Sequence, residues 1–311
     1  MDQLAEEVLS GTRRSIARAI SLVEDRQPGY QALLSTLYPH TGHAYRIGVT
    51  GPPGTGKSTL IAQLARSYRE NEHRVAIVGV DPSSPYSGGA LLGDRIRMRA
   101  LAGDSGVLIR SMATRGELGG LAWATSEAVQ ILDAAGYSVI LIETVGAGQG
   151  DVEIARAVHT TLLVQAPGLG DEIQAIKAGT IEIADIFVVN KSDRAGADQV
   201  VRVLQSMLAL AETPWIPPIC ETVALDGTGV AELMAAVASH RAYLALGPGR
   251  ERERAWSQHE LERLIQRELL AQFLDSLPAD KLSELVARIA ARDLSPYQAL
   301  EELGLQDTIG S

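Results

Sequence analysis

The residues with the clearest chemical potential lie at positions 51–59, where GPPGTGKST contains the pattern G-x-x-x-x-G-K-S/T. An apolar stretch precedes the pattern and another follows it, so we expect a strand, a loop and a helix in succession. Backbone N–H groups of such a loop and the partial positive charge of the helix N-terminus together bind phosphates. We expect Lys57 to reach the β- and γ-phosphates and Ser58 to ligate Mg²⁺. The predicted nucleotide-binding set is Gly51, Pro52, Pro53, Gly54, Thr55, Gly56, Lys57, Ser58 and Thr59.

A second motif, NKSD at residues 190–193, follows the apolar segment IFVV and predicts which base the nucleotide carries. The carboxylate of Asp193 can accept hydrogen bonds from N1–H and the exocyclic amine of guanine, a donor pair that adenine lacks. We therefore predict guanine recognition by Asn190, Lys191 and Asp193. A last strand is predicted at 216–220, and Thr222, Val223 and Ala224 would follow it as a loop over the base.

Carboxylates follow two further apolar segments and predict a metal site. Asp81 and Asp94 lie in DPSSPYSGGALLGDR, where they could reach a metal ion or instead cap a turn and a helix. Glu143 opens ETVGAGQGD at the position where P-loop GTPases carry the Asp of D-x-x-G, so we expect it to hold the Mg²⁺ shell. Gln149 either orients the attacking water or hydrogen-bonds the loop backbone.

The segment APGLGDEIQAIKAG, residues 166–179, follows the apolar segment TLLVQ. Asp171, Gln174 and Lys177 are spaced by three and would share one face of a helix. Such a face is either merely solvated or, beside a nucleotide, a switch that responds to its state.

The elements that must position these residues are apolar strands alternating with helices, which predicts an α/β fold with a mostly parallel central sheet flanked by helices. We expect three parts: a helical extension at 1–42, a P-loop domain at 43–247 and a helical arm at 248–311. The arm carries an apolar stripe between Leu261 and Leu277 that packs on its own domain or, as we prefer, forms a homodimer interface.

Composition narrows the classes of function. The 311 residues carry a net charge of −10, which disfavours partners bound through phosphates, so neither nucleic acid nor an anionic membrane is expected. The single cysteine, Cys220, cannot form an internal disulfide, and at a buried strand end it is expected to be inert. With an acidic N-terminus and no apolar run of about 18 residues, we expect a cytoplasmic protein.

Taken together, GPPGTGKST, VDPSSPYSGGALLGDR, RSMATRGELGGL, ETVGAGQGD, GDEIQAIKAG and NKSD resemble the methylmalonyl-CoA mutase-associated GTPases of the MeaB/ArgK type. The resemblance covers nearly the whole chain. It implies a GTP- and Mg²⁺-dependent chaperone that gates adenosylcobalamin loading and protects a cobalamin-dependent acyl-CoA mutase.

By the same resemblance, Asp171, Gln174 and Lys177 form a third switch that couples to the mutase. The expected catalytic set is Lys57, Asp94, Glu143, Gln149 and Lys177, and the expected metal set is Ser58, Asp81, Asp94 and Glu143. Two positions depart from the family pattern, since Arg95 replaces a usual Lys and residues 222–224 replace a common Ser-Ala. Alternative functions are a small-molecule kinase and a metal-insertion GTPase.

Overall fold

A computed structural model describes residues 2–81, 101, 103–113, 123–144, 155–168, 182–210 and 213–305. Contacts between residues divide the chain into two compact units, Met1–Glu253 and Arg254–Ser311. The strands are β1 Tyr45–Thr50, β2 Val75–Asp81, β3 Val107–Ala113, β4 Val139–Thr144, β5 Thr160–Gln165, β6 Ile186–Asn190 and β7 Ile219–Thr222. The helices are α1 Asp2–Leu9, α2 Arg13–Glu24, α3 Tyr30–Leu37, α4 Lys57–Glu70, α5 Trp123–Ala134, α6 Ala197–Leu208, α7 Val230–Ala245, α8 Pro248–Ser276, α9 Lys281–Ala290 and α10 Pro296–Glu302.

The seven strands form one sheet in the order β3-β2-β4-β1-β5-β6-β7, and every pairing within it is parallel. This confirms the predicted α/β fold with a parallel sheet flanked by helices. The central strand β1 lies between β4 and β5, so the loop after it opens at a point where ligands bind in such sheets.

Helices cover both faces of the sheet, so that consecutive residues of the central strands are buried. Helices α1, α2, α3 and α5 enclose one core with Val78 and Ile140, whereas α4 and α7 enclose another with Ile77 and Leu141. Helix α6 packs on Phe187 and Val189. Strands buried on both faces are continuous apolar runs, which is why their positions could be predicted from the sequence.

The last strand begins at Ile219 rather than at residue 216, where the sequence pattern predicted it. Pro217 and Pro218 precede it and have no N–H to donate to a neighbouring strand. The Pro218 carbonyl instead accepts the first contact, from the N–H of Phe187.

A polar network around the buried Asp185 lies at the N-terminal ends of the strands, opposite the strand ends that carry the P-loop. The Asp185 carboxylate accepts the Thr161 N–H at 2.8 Å and both Nη atoms of Arg252 at 2.9 Å, and it lies 3.3 Å from His240 Nε2. Burial alone would raise the pKa of Asp185, but hydrogen bonds from His240 and Arg252 lower it below its ordinary value. The network therefore holds an ionised carboxylate.

His159 connects the N-terminal end of β1 to the start of α8. Its Nδ1 accepts the Arg46 N–H at 2.9 Å, so Nε2 carries the proton and donates to Glu253 at 2.7 Å. Burial lowers the pKa of His159, which stays neutral. Burial would raise the pKa of Glu253, but the hydrogen bond from His159 and the charge of Arg46 lower it to about 2.

The second unit contains most of α8 with α9 and α10. Leu285, Leu294 and Ala299 form a small core, and a capping box at Ser295 starts α10. Arg288 and Glu302 form a bidentate ion pair at 2.8 Å. The α8 stripe exposes large side chains, among them Leu261, Leu269 and Leu270. No helix in the described ranges is long and apolar enough to cross a membrane.

Candidate functional site

The P-loop, residues 51–56, connects β1 to α4 as the motif predicted. Gly51 and Gly56 both have positive φ values, 136° and 96°. A Cβ at Gly51 would lie 2.1 Å from the Val164 carbonyl oxygen, and one at Gly56 would lie 2.4 Å from Asn190 Nδ2. Because both close approaches exclude a side chain, these two glycines are required for the loop to pack against β5 and β6.

Lys57 is the first residue of α4 and is buried, with its ammonium turned back over the loop. Its Nζ donates to the Gly51 carbonyl at 2.7 Å and to the Pro52 carbonyl at 3.1 Å. Thr55 steadies the same turn, since its hydroxyl donates to the Pro52 carbonyl at 3.0 Å. The ammonium and the α4 N-terminus thus supply positive charge at one place, as a phosphate site needs. Pro53 and Gly54 form the exposed tip of this loop, and Thr59 lies in the first turn of α4.

The predicted metal ligands Ser58 and Glu143 are in contact although 85 residues separate them. The Ser58 hydroxyl donates to Glu143 Oε1 at 2.6 Å, and both side chains are buried. A hydroxyl and a carboxylate are the hard oxygen donors that Mg²⁺ prefers, so these two residues fit the ion. Asp81 ends β2, which pairs with β4 so that Gly79 lies beside Glu143, and its backbone alone is described.

Sequence reasoning missed a pair of threonines beside this site. Thr144 donates through its hydroxyl to Thr50 at 2.9 Å, joining the last residues of β1 and β4. Both side chains are buried. The signal that could have found them was a threonine directly after the predicted ligand Glu143, at the end of an otherwise apolar strand.

Asn190 ties the predicted base site to the P-loop. Its Nδ2 donates to the Thr55 carbonyl at 2.7 Å. Its Oδ1 accepts the Ala224 N–H at 3.0 Å and the Thr222 hydroxyl at 3.2 Å. The side chain is 2% exposed, so one buried amide holds three loops together.

Lys191 and Asp193 lie on the turn after β6. Lys191 has a φ of 58°, and its Nζ donates to the Gly54 carbonyl at 2.6 Å. The Ser192 N–H donates to the Thr222 carbonyl at 3.1 Å, which fixes this turn to the loop that contains Val223. Asp193 is exposed, so its carboxylate is accessible to a base lying between the two loops.

The remaining predicted residues, Asp94, Gln149, Asp171, Gln174 and Lys177, lie outside the described residues. Cys220 is described and lies buried in β7. Burial, with the charge of Glu232 adding to it, raises the pKa of the Cys220 thiol to about 11. The thiol stays protonated at neutral pH, which makes it a poor nucleophile.

Comparison with known proteins identifies the family of this chain. The family model described as "Methylmalonyl Co-A mutase-associated GTPase MeaB" matches residues 16–277. A provisionally named GTPase of Pyrococcus abyssi is 43% identical over 316 residues, with 100% of this chain and 97% of the relative covered. The GTPase ArgK of Escherichia coli is 34% identical, with 92% and 93% covered.

The mouse mitochondrial protein named methylmalonic aciduria type A homolog is also 34% identical, with 97% of this chain and 78% of that protein covered. Among solved structures, one described as an LAO/AO transport system kinase superposes with a TM-score of 0.73 at 28% identity, covering 100% of this chain and 97% of that one. These matches confirm the resemblance that the motifs indicated. The chain belongs to the family of methylmalonyl-CoA mutase-associated GTPases described as MeaB.

Proposed function

We propose that this protein is a GTPase chaperone that gates adenosylcobalamin loading onto a cobalamin-dependent acyl-CoA mutase and protects that mutase. Methylmalonyl-CoA mutase is the partner that the family description names. The observation that supports nucleotide binding is the Asn190 side chain, which joins the NKSD turn, the P-loop and the loop containing Ala224. The chaperone role is supported by membership of the family.

In the proposed reaction, the P-loop holds the phosphates while Lys57 neutralises charge on the β- and γ-phosphates. Ser58 and Glu143, already in contact, would hold Mg²⁺ with Asp81 or Asp94, and the ion would supply charge stabilisation when bound. Asp193 would accept the two guanine donors. Gln149 is proposed to orient the attacking water.

Coupling to the mutase is assigned to Asp171, Gln174 and Lys177. They follow β5, which pairs directly with β1, the strand that leads into the P-loop. A partner that binds this segment would place a cation near the γ-phosphate and raise the rate of hydrolysis without changing the nucleotide contacts.

The homodimer is proposed through the arm at 248–311. The exposed apolar side chains of α8 support it, because a stripe of large exposed side chains is typical of an interaction surface. Removal of residues 250–311 should give a monomer that still binds GDP. If light scattering showed that the full-length protein is monomeric at micromolar concentration, the proposed dimer would be refuted.

The direct test of the chaperone role is cofactor transfer. Mutase without cofactor is mixed with this protein and free adenosylcobalamin, and the absorbance of mutase-bound cofactor is followed with GTP or with a non-hydrolysable GTP analogue. Transfer should proceed with GTP and stall with the analogue, and Lys57→Ala should remove the difference. Equal transfer with both nucleotides would contradict gating by hydrolysis.

A second candidate is a small-molecule kinase, which the similarity to a structure described as a transport system kinase favours. A kinase would transfer the γ-phosphoryl group to a small-molecule acceptor. GTP radiolabelled at the γ-phosphate distinguishes the two functions, because a GTPase releases all of the label as inorganic phosphate whether or not an acceptor is present.

A further inference from the structure

Gln63, on the second turn of α4, reaches the loop that contains Ala224. Its Nε2 donates to the Ala224 carbonyl at 3.0 Å across 161 residues of sequence. Arg66 Nη1 donates to Gln63 Oε1 at 3.3 Å. Because a guanidinium can only donate and a carbonyl can only accept, these two neighbours fix which way the amide of Gln63 points.

Ala224 is thereby held on both sides. Its N–H donates to Asn190 Oδ1 at 3.0 Å, and its carbonyl accepts from Gln63. Two successive peptide groups are fixed, and the residue between them is 3% exposed. A Cβ at Gly227 would come within 3.9 Å of Gln63 Oε1, so the same side chain also lies under the turn that closes the loop.

Helix α4 also begins with Lys57 and Ser58, at the phosphate end of the site. A hydrogen bond from Gln63 therefore sets the position of the base loop relative to the phosphates through one rigid helix. We propose that Gln63 is a positioning residue for base recognition, which keeps the loop at residues 222–224 in the orientation that meets guanine. The inference rests on the proposed guanine-nucleotide site.

The effect should appear as a change in base selectivity. Without the Gln63 donor, the loop occupies other orientations in the free protein. The affinity for GDP then falls in proportion to the fraction of molecules whose loop keeps the orientation that binds the base. Loss of one net hydrogen bond corresponds to about a five- to tenfold rise in the Kd for GDP. ADP, whose base does not present the guanine donors, should bind within about twofold of its wild-type Kd because the phosphate contacts are intact.

Three variants test this by competition of GDP and ADP against a fluorescent GDP analogue. Gln63→Met keeps the length of the side chain but removes the donor, and Gln63→Lys restores a donor of similar reach. Gln205→Met changes an exposed glutamine on α6 and is the matched control. We expect weaker GDP binding in Gln63→Met alone. The Kd for ADP divided by the Kd for GDP should fall by about the same factor.

Unchanged GDP binding in Gln63→Met would overturn the inference. So would equal losses for GDP and ADP, since these would indicate damage to α4 rather than to the base loop. A Gln63→Lys variant as weak as Gln63→Met would also overturn it. If the wild type itself bound ADP as tightly as GDP, the guanine site would be wrong and the inference would fail with it.

Discussion

Substitution of Asn190 by alanine is the sharpest perturbation of the site. The wild-type side chain donates to the Thr55 carbonyl at 2.7 Å and accepts the Ala224 N–H at 3.0 Å, and both partners are buried. Alanine replaces none of these contacts. The two backbone groups cannot turn to new partners without moving their loops.

The expected cost follows from those two groups. A buried backbone donor or acceptor that loses its partner costs about 1–3 kcal/mol, so Asn190→Ala should reduce the free energy of unfolding by about 2–6 kcal/mol. The same change separates the base loop from the P-loop, so GDP should bind more weakly as well.

The assay is urea denaturation monitored by circular dichroism. It is carried out on the nucleotide-free protein and again after GDP has been added. Asn71→Ala is the matched control, because Asn71 also donates from its amide to a backbone carbonyl, that of Ser67 at 2.9 Å, but at an exposed position. The control should stay within about 0.5 kcal/mol of the wild type. If Asn190→Ala cost no more than Asn71→Ala, the bridging role of Asn190 would be wrong.

Three further outcomes are expected. Glu143→Gln keeps an acceptor for the Ser58 hydroxyl but loses the charge, so the Kd for Mg²⁺ in the GDP complex should rise by about tenfold or more, while GDP binding in EDTA is unchanged; an unaltered Mg²⁺ titration would oppose the metal assignment. Because the pKa of His159 is lowered in the folded protein, the unfolded chain takes up its proton first and stability should fall as the pH drops below about 7. Thermal midpoints between pH 7.5 and 5 should therefore fall less steeply in His159→Gln, and equal slopes would contradict this. Asp193→Asn should weaken GDP and favour xanthosine diphosphate in calorimetry, and a variant that still prefers GDP would refute the role of Asp193.

Local motifs predicted the parts of the site that are continuous in sequence. The P-loop is a strand, a loop and a helix in succession, so its boundaries follow from residues 47–61 alone. The Ser58 contact with Glu143 was also accessible, because both belong to motifs with known metal roles. The contact of Gln63 with Ala224 was not, since nothing in the spacing of a half-buried helical glutamine indicates a partner 161 residues away.

For the same reason, the sequence did not predict the polar network at the N-terminal ends of the strands. Buried Asp185 pairs with half-buried Arg252, yet in sequence each resembles an ordinary surface charge. Apolar content alone predicts that β7 begins three residues early, whereas the two prolines before Ile219 delay its start. Such ion pairs and strand boundaries depend on which strands and helices lie side by side, and the local sequence pattern does not indicate this.

The proposed coupling of GTP hydrolysis to a mutase is tested by single-turnover hydrolysis of GTP by the wild type, alone and with methylmalonyl-CoA mutase. We expect slow basal hydrolysis that rises by at least about tenfold with the mutase, below the roughly 10³–10⁵ that an arginine finger supplies, and we expect Lys177→Ala to lose this stimulation. Identical rates of hydrolysis with and without a mutase that demonstrably binds would contradict this coupling.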